Sequence, residues 1–470
     1  MSSATGEVRS DEPASFRDPA TTVFYDGDRV LRGLDAGAAG DWRALAATSF
    51  FPRLVADGKV VRTEEVDASG LDLAPDRYAA VLEHERVPFL SYPHEWTFGM
   101  LRDAAALHLE VLLAALDDGF TMKDGYALNV QWRGREPVFI DVGSFERAAP
   151  GPWPGYRQFC RTFLYPLLLQ AHLDVPFQRF LRGHLEGFEP THMRRLLGGR
   201  NILRKGVARH VVLQAVMEQR VTAASETTKK ELADAGFDTQ LTKAVASKLL
   251  TLVRSLSSKR AASGWADYRS TCSYSDADTE AKRRFVGEVA ESLRPDLVWD
   301  LGCNDGAFAR LVAASAGTVV AVDGDDVVVD ALYRSLRQDG PGNVLPLVMD
   351  LVDPTPDRGW RLTERKAFTG RRRPDLVLGL ALVHHLAIGA NVPLPSVLDW
   401  FASLGGTLVI EFVDRDDPMV KRLLANKPQG MFDAYTRPAF EDLLGARFAV
   451  RRSETLPGGT RSLYLAVPPS

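Results

Sequence analysis

The stretch that decides the fold is VWDLGCNDGAFARL, Val298–Leu311, in which a short apolar run meets two glycines and then a helical pattern. The run predicts a β-strand, and the pattern after the glycines predicts an α-helix. The bend between them contains Asp300, Gly302, Cys303, Asn304 and Gly306. Small residues let a ligand approach the backbone, and the first amides of the helix then face that ligand. The stretch therefore predicts a nucleotide-binding turn.

Around this turn, from about residue 291 to the end, candidate strands alternate with helical segments. The candidate strands are LVWDLG, TVVAVD, NVLPLVMD, PDLVLGLALV and GGTLVIEFV. Each is a nearly continuous apolar run, as expected for a strand buried on both faces of a doubly wound parallel sheet. The last two candidates, ARFAVRRSETL and RSLYLAVP, are joined by the short turn PGGT and must pair antiparallel. The sequence therefore predicts an α/β fold with a Rossmann-like seven-stranded sheet that ends in an antiparallel hairpin.

This topology resembles the class I S-adenosylmethionine-dependent methyltransferases. In that family the turn reads acid-x-Gly-x-Gly-x-Gly and wraps the methionine part of the cofactor, and Asn304 stands here at the middle glycine. Asparagine tolerates a left-handed backbone better than most residues, so the departure is mild. The resemblance implies that residues 281–470 form a domain with S-adenosylmethionine as its cofactor and no metal.

Two further acidic residues follow the next two candidate strands. Asp323, followed by Gly324, lies 23 residues after Asp300, where an acid accepts hydrogen bonds from ribose hydroxyls. Dinucleotide sites share this feature, so Asp323 alone does not distinguish the two cofactors. The methyltransferase resemblance implies that Asp350 contacts the adenine amino group and that Leu351 lies beside the ring. Together with the terminal hairpin, these acids favour S-adenosylmethionine over NAD.

The end of the fourth candidate strand, in LGLALVHHLAI, places Ala381 near the methyl group and supplies two histidines, His384 and His385. A neighbouring histidine can remove a proton from an acceptor hydroxyl or amine, although two histidines can also simply open a helix. Glu411, at the end of the fifth strand, is the alternative base, whereas Asp416 suits a helix cap. We therefore expect His384 or His385 to act as the base, with Glu411 as the second choice.

Aromatic and basic side chains near the sheet are candidates for a lid or a substrate wall. The segment before the first strand carries Trp265, Tyr268, Tyr274 and Lys282, where methyltransferases often cover the cofactor. Tyr435, in GMFDAYTRPAFEDLL, fits either a substrate wall or the core. The chain carries no Asn-Pro-Pro-aromatic motif, which argues against adenine and glutamine acceptors.

The stretch MKDGYALNVQWRGREPVFIDVGSFE raises a second resemblance, to kinases. Asp124 and Asn129 precede a predicted hairpin and Asp141-Val-Gly; in kinases the matching residues are the base and the two magnesium ligands. The match is partial, because no glycine-rich loop precedes it and Lys59 is the nearest candidate for the lysine of the third strand. We interpret residues 21–190 either as a degenerate kinase-like α+β domain or as an accessory domain in which Asp124 and Asn129 are turn residues.

The length of 470 residues is too great for one ordinary core and predicts two or three domains. We expect a disordered tail over residues 1–20, which carry no signal peptide, and a helical connecting region over residues 191–280. A net charge of −4 gives no reason to expect nucleic-acid binding, and no apolar run is long enough to span a membrane. Three widely separated cysteines fit a reducing cytoplasm.

These features predict an S-adenosylmethionine-dependent methyltransferase that acts on an oxygen or nitrogen of a small-molecule, glycan or carrier-linked natural-product acceptor. DLGCNDGAFARL and EFVDRDDPMVKRLL also resemble bacterial methyltransferases with accessory domains, of the kind found among host-specific nodulation proteins and natural-product clusters. Two alternatives stay open. One is a kinase-fold nucleotide-binding or scaffold protein whose methyltransferase domain has little turnover, and the other is a protein methyltransferase.

Overall fold

The structure is a computed structural model that describes residues 10–69, 71, 77–149, 151–216, 239–260 and 275–469. The chain divides into two compact units, each made of more than one segment. The first unit contains Met1–Trp132, Pro137–Lys259 and Asp357–Arg365. The second unit contains Arg133–Glu136, Arg260–Pro356 and Lys366–Ser470. The region that we expected to connect two domains is therefore divided between the units after Lys259.

An antiparallel sheet of five strands forms part of the first unit. Its strands are β1 Ser10–Asp11, β2 Thr21–Asp26, β3 Arg29–Leu34, β4 Thr63–Val66 and β5 Ala80–His84. The strand order is β1-β2-β3-β5-β4. β2 and β3 form a hairpin, and Gly27 in the turn between them has a φ of 58°.

Part of the tail that we expected to be disordered has regular structure instead. β1 pairs antiparallel with β2, and Pro13–Arg17 form a 3-10 helix in which the Glu12 side chain accepts a hydrogen bond from the Ala14 amide. The edge of a sheet offers unpaired backbone groups, and the tail satisfies some of them. The prediction of disorder is therefore wrong for residues 10–17.

α-Helices and two short sheets, apart from the strand ends Arg133 and Glu136 of the second unit, make up much of the rest of the described first unit. The helices are α1 Ala36–Ala46, α2 Phe50–Ala56, α3 Phe98–Asp117, α4 Tyr156–Phe159, α5 Tyr165–Leu173, α6 Gln178–Gly183, α7 Pro190–Leu196 and α8 Thr239–Ser255. The short sheets pair β6 Phe120–Met122 with β9 Phe145–Arg147, and β7 Val130–Arg133 with β8 Glu136–Phe139. The Thr97 side chain caps the first turn of the long helix α3, and Gly119 (φ 77°) follows the end of this helix.

The second unit is built on a seven-stranded sheet within residues 275–469. Its strands are β10 Leu297–Leu301, β11 Thr318–Asp323, β12 Val344–Val348, β13 Leu376–Gly379, β14 Thr407–Val413, β15 Ala449–Thr455 and β16 Arg461–Val467. The order is β12-β11-β10-β13-β14-β16-β15, and β16 is antiparallel to both of its neighbours while the other neighbouring pairs are parallel. This is the topology of the class I methyltransferase fold, which confirms the predicted parallel sheet with its terminal hairpin.

The helices of this unit pack against the sheet and leave the carboxyl ends of its strands open to loops. They are α9 Asp276–Leu293, α10 Ala307–Ala313, α11 Asp326–Asp339, α12 Phe368–Arg371, α13 Leu394–Leu404, α14 Pro418–Leu424 and α15 Arg437–Gly445. Val298, Leu376 and Val409, on three neighbouring strands, share one buried apolar cluster with Phe285 of α9. Because the chain winds in opposite directions from β10 and β13, a crevice is expected at their carboxyl ends.

No helix in the described ranges combines the length and the apolar character needed to cross a lipid bilayer.

Candidate functional site

The loop between β10 and α10 passes through three residues with a left-handed backbone. The φ angles are 77° at Gly302, 51° at Asn304 and 76° at Gly306. A Cβ atom on Gly306 would approach the Leu332 side chain to 2.5 Å, so a larger residue would have to displace it. Asn304 takes the conformation that the middle glycine of the motif requires, as expected for asparagine. The loop therefore offers backbone groups to a ligand with little obstruction from side chains.

Asp300, near the end of β10, is buried in the wall beside this loop. Its Oδ2 atom has no hydrogen-bond partner among the described residues. Burial raises the pKa of the carboxyl to about 7, although the positive charge of Lys282 opposes the shift. A buried carboxylate oxygen without a partner is costly unless a bound group supplies a donor. Asp300 therefore suits contact with an ammonium or N–H group of a ligand.

Asp323, the last residue of β11, holds the glycine loop in place. Its Oδ2 accepts a hydrogen bond from the Asn304 amide at 3.0 Å, and its Oδ1 accepts one from the Asp325 amide at 3.0 Å. Burial raises the pKa of this carboxyl. Since each carboxylate oxygen can accept more than one hydrogen bond, Asp323 can also accept hydrogen bonds from the hydroxyls of a ligand.

These residues surround a cavity of about 870 Å³ at the carboxyl ends of the strands of the second unit. The loops after β10, β11 and β12 form one side, called here the acidic side, which carries Asp300, Asp305, Asp323 and Asp350. The loop after β13, together with α9, α14 and the start of β16, forms the other side, called here the basic side. Every residue predicted to bind the cofactor lines the cavity except Gly306. The volume lies in the range of small-molecule sites, about 300–1,000 Å³.

His384 and His385 both line the basic side, with ring centroids 4.3 Å apart. His384 is buried, and its Nδ1 has no partner among the described residues. Burial, reinforced by His385 and by Arg461, lowers the pKa of His384 to about 2. His385 is exposed to the cavity, and desolvation by the surrounding wall lowers its pKa, while Asp323 opposes the shift. Both rings are therefore neutral near pH 7, and His385 is the more accessible.

A buried charge cluster, made of Lys282, Glu411, Asp417 and Arg461, lies at the basic side. Lys282 Nζ is 2.6 Å from Glu411 Oε2, Arg461 Nη1 is 3.3 Å from Glu411 Oε1, and Arg461 Nε is 2.8 Å from Asp417 Oδ2. Glu411 Oε2 also accepts the amide of Ala381, which has a φ of 51°. Lys282 and Arg461 line the cavity, but Glu411 does not. Glu411, our second choice of base, therefore has both oxygens occupied and holds the loop after β13.

Other predicted residues fall in different places. Tyr435 is buried, stacks on Phe412 with ring centroids 4.9 Å apart, and donates a hydrogen bond to the Val413 carbonyl. It does not line the cavity, which favours the core interpretation. Asp417, not Asp416, caps α14. The remaining lid candidates, Trp265, Tyr268 and Tyr274, lie outside the described residues.

The kinase-like stretch of the first unit adjoins a separate cavity of about 290 Å³. Arg32 of β3 lines this cavity, and its Nη1 is 3.2 Å from Asp141 Oδ1. Burial raises the pKa of Asp124, and the charge of Asp141 adds to the shift. The Nδ2 atom of Asn129 is buried and has no partner among the described residues. Asp124, Asn129 and Asp141 are half-buried and do not line the cavity themselves, and Asp141 is connected to it through Arg32.

Three further observations concern the kinase-like interpretation. The hairpin of β7 and β8 lies between Asn129 and Asp141, as predicted. Lys59 forms an ion pair of 2.8 Å with Glu110 of α3. In the described ranges, no group of three histidine, cysteine, aspartate or glutamate residues has an arrangement that could hold a metal ion. The kinase-like interpretation stays a prediction.

One curated relative matches nearly the whole chain. The nodulation protein NoeA of Rhizobium meliloti (strain 1021) is 34% identical over 456 residues, which cover 96% of this chain and 94% of the relative. The chain belongs to the NoeA family. Because the match extends over both units, the family includes the first unit as well as the methyltransferase fold. No family model matches the chain.

Solved structures similar to this NoeA-family chain include two methyltransferases. The N-methyltransferase NodS of Bradyrhizobium japonicum WM9 is 13% identical with a TM-score of 0.31, over 42% of this chain and 98% of NodS. The magnesium protoporphyrin IX methyltransferase of Synechocystis PCC 6803, with bound S-adenosylhomocysteine, is 15% identical with a TM-score of 0.30, over 43% and 92% of the two chains. At these TM-scores, the likenesses add nothing to what the strand order shows.

Sequence reasoning missed several residues of the basic side, among them Asp417, Met419, Arg422 and Arg461. Asp417-Pro418 is a helix-start signal, which placed α14 but not its relation to the sheet. Arg461 directly follows the hairpin turn, and the pairing register sets it opposite Val413 at the carboxyl end of β14. That register was the missing information, since the hairpin was predicted and the alignment of β16 with β14 was not.

Proposed function

We propose that the second unit binds S-adenosylmethionine and transfers its methyl group to an oxygen or nitrogen of an acceptor. The observation that carries the proposal is the unpartnered Oδ2 of buried Asp300, which lies beside a left-handed glycine loop in a sheet with the methyltransferase strand order. When bound, S-adenosylmethionine supplies a methyl group on a positively charged sulfur.

The acidic side of the cavity has the groups that such a cofactor needs. Asp300 accepts a hydrogen bond from the α-ammonium group of the methionine part. This hydrogen bond also removes the free-energy cost of burying its Oδ2 atom without a partner. Asp323 accepts hydrogen bonds from the ribose hydroxyls. It uses the lone pairs that are not occupied by the Asn304 and Asp325 amides. Asp350, exposed at the end of β12 with Leu351 beside it, accepts the adenine amino group. The residues present therefore fit the cofactor.

The basic side orients the acceptor and takes its proton. His385 is neutral near pH 7 and open to the cavity, so it can receive the proton that the acceptor loses on methylation. His384, which stays neutral because of its burial, has an Nδ1 without a partner among the described residues and can form a hydrogen bond with the acceptor there. Glu411 acts through Ala381, since its Oε2 holds the amide of that residue in the left-handed conformation. We assign Glu411 a positioning role and not that of a base.

The acceptor that we propose is a small molecule, a glycan or a carrier-linked natural product. A cavity of about 870 Å³ admits part of such a molecule beside the cofactor. The relative that matches the chain over both units is a nodulation protein, which supports an acceptor connected with nodulation. A protein acceptor is the alternative.

Calorimetric titration of the full chain with S-adenosylhomocysteine tests the cofactor assignment without knowledge of the acceptor. We expect saturable binding at one site per chain and a loss of at least about tenfold in affinity for Asp323→Ala, because a charged hydrogen-bonding partner is removed. Asp339→Asn, on the exposed end of α11, is the matched control and should bind as the natural chain does. Equal affinity of Asp323→Ala and Asp339→Asn would contradict the ribose assignment, and the absence of any binding would contradict the function.

A second candidate function concerns the first unit, and the Arg32–Asp141 ion pair at its cavity favours it. We propose that this unit binds a nucleotide with magnesium, with Asp141 and Asn129 near the metal and with little or no phosphoryl transfer. Two observations on the same stretch support this proposal: the buried Nδ2 of Asn129 has no partner among the described residues, and burial raises the pKa of Asp124.

Thermal unfolding of the full chain with ATP and magnesium tests this second candidate. A rise in melting temperature that Asp141→Asn abolishes would support the site. Asp57→Asn, exposed after α2, is the control and should keep the response. No rise in the natural chain, or an equal rise in Asp141→Asn, would exclude a nucleotide site at this cavity.

A further inference from the structure

The charged side chains that line the cavity of the second unit come from two sets of elements, although Lys282 lies near enough to Asp300 for its charge to oppose the rise in the pKa of that carboxyl. The acidic side of the cavity carries four aspartates, and the charged side chains that line its basic side are three cations, Lys282, Arg422 and Arg461. The carboxylates that neutralise two of these cations, Glu411 and Asp417, are buried and do not line the cavity among the described residues. A ligand on the basic side can therefore contact these cations but not Glu411 or Asp417.

Arg422 differs from the other two cations. It is exposed on α14, lines the cavity, and makes no hydrogen bond or ion pair to any residue that the structure describes. Its neighbour Lys421 has a partner, since its Nζ is 3.3 Å from Asp416 Oδ1. Arg422 is thus a cation at the rim of the site whose charge no described carboxylate balances.

The buried charge cluster holds the Arg461 side chain in position. Arg461 is held by Asp417 at 2.8 Å and by Glu411 at 3.3 Å, and both carboxylates are buried. Asp417 is also the cap of α14, the helix that carries Met419 and Arg422 into the cavity wall. Asp417 therefore positions both the Arg461 guanidinium and α14, the helix that carries Arg422.

We infer that the acceptor carries an oxyanion, a carboxylate, phosphate or sulfate, which Arg422 binds at the rim of the cavity, on the side that Arg461 and Lys282 also line. This inference rests on the proposed function, since it assigns the basic side to the methyl acceptor. Guanidinium groups bind such oxyanions through paired hydrogen bonds, and enclosure by a cavity wall strengthens them. Leu382, Leu386 and Met419 add apolar contacts to the same side, so the part of the acceptor next to the oxyanion is apolar or a sugar face.

Binding of matched sugar probes to the full chain tests the inference. The chain is first saturated with S-adenosylhomocysteine, and glucose 6-phosphate, glucuronate and glucose are then titrated by calorimetry. We expect at least one anionic sugar to bind about tenfold or more tightly than glucose, and the preference between the two distinguishes phosphate from carboxylate. Arg422→Gln should lose most of this preference and keep its affinity for S-adenosylhomocysteine.

Lys421→Gln is the matched control, because it removes a neighbouring cation of the same helix that has its own partner and does not line the cavity. It should keep the preference for the anionic probe. The inference is overturned if neither anion binds more tightly than glucose, or if Arg422→Gln and Lys421→Gln behave alike, while S-adenosylhomocysteine still binds. Failure of S-adenosylhomocysteine to bind would instead overturn the proposed function and this inference with it.

Discussion

Lys282 Nζ lies 2.6 Å from Oε2 of Glu411, and both side chains are almost entirely buried. The pair joins α9, which precedes the sheet, to the end of β14. The same oxygen of Glu411 accepts the Ala381 amide, so the pair also fixes the loop that carries the two histidines into the cavity. An ion pair at this place therefore couples the stability of the second unit to the shape of its site.

Replacing one residue of the Lys282–Glu411 pair is expected to lower the stability of the chain more than replacing both. Glu411→Gln keeps an oxygen for the Ala381 amide but removes the carboxylate charge 2.6 Å from the buried Lys282 ammonium, which costs about 3–5 kcal/mol in buried pairs. The double variant Lys282→Met with Glu411→Gln removes the buried ammonium as well and should recover part of the loss. The measurement is thermal unfolding of the full chain, and equal melting temperatures for the single and double variants would contradict the expectation.

The Asp300 carboxyl should make the stability of the chain depend on pH. Its pKa is about 7 in the folded chain against 3.8 for an unperturbed aspartate. As pH rises from about 4 to 7 the unfolded chain ionises this group while the folded chain keeps it protonated, so its contribution to stability falls across that window and is constant above it.

Asp300→Asn removes this titration and is the test. Without cofactor, the melting temperature of Asp300→Asn minus that of the natural chain should grow between about pH 4 and pH 7, by about 2 °C or more. Groups that do not interact with Asp300 cancel in the difference because both chains share them. A difference that does not change with pH would show that Asp300 ionises normally in the folded state.

The two histidines should differ in how they titrate. The pKa of His384 is lowered to about 2 by burial, so its ring should show no titration above about pH 5. The pKa of His385 is lowered from 6.5, so its midpoint should fall below that value and leave the ring neutral at pH 7. NMR of histidine-labelled protein measures both midpoints, with His384→Gln and His385→Gln spectra for assignment. A His384 midpoint near 6.5 would contradict the burial that the structure gives it.

Asn304 offers a test of backbone strain in the glycine loop. At a φ of 51°, Asn304→Gly should leave the melting temperature unchanged or raise it, since glycine has no cost in this conformation. Asn304→Val should destabilise the chain by at least about 1–2 kcal/mol, because a left-handed backbone is strained for residues with a Cβ and more so for β-branched ones. Affinity for S-adenosylhomocysteine should survive the first change and fall with the second. Equal stability of the two variants would contradict the left-handed assignment.

Local pattern was enough to predict most of the second unit. Apolar runs of strand length, the glycine loop and the short turn before β16 each reflect interactions between residues close in sequence. The positions of Asp300, Asp323 and Asp350 followed in turn, because the carboxyl ends of parallel strands meet at one edge of a sheet. The left-handed backbone of Asn304 was also predictable from the sequence, because it depends on the residue type at one position.

What the sequence determined by itself was therefore the sheet, its terminal hairpin and the residues on the acidic side of the cavity. Only the tertiary structure decided the basic side, where the partners of Glu411 are 129 and 50 residues away, at Lys282 and Arg461. It also decided that Glu411 holds cations and a backbone amide, and that Arg422 faces the cavity without a partner among the described residues. The physical reason is that burial and charge pairing depend on which distant segments the fold brings together, and no local pattern records that.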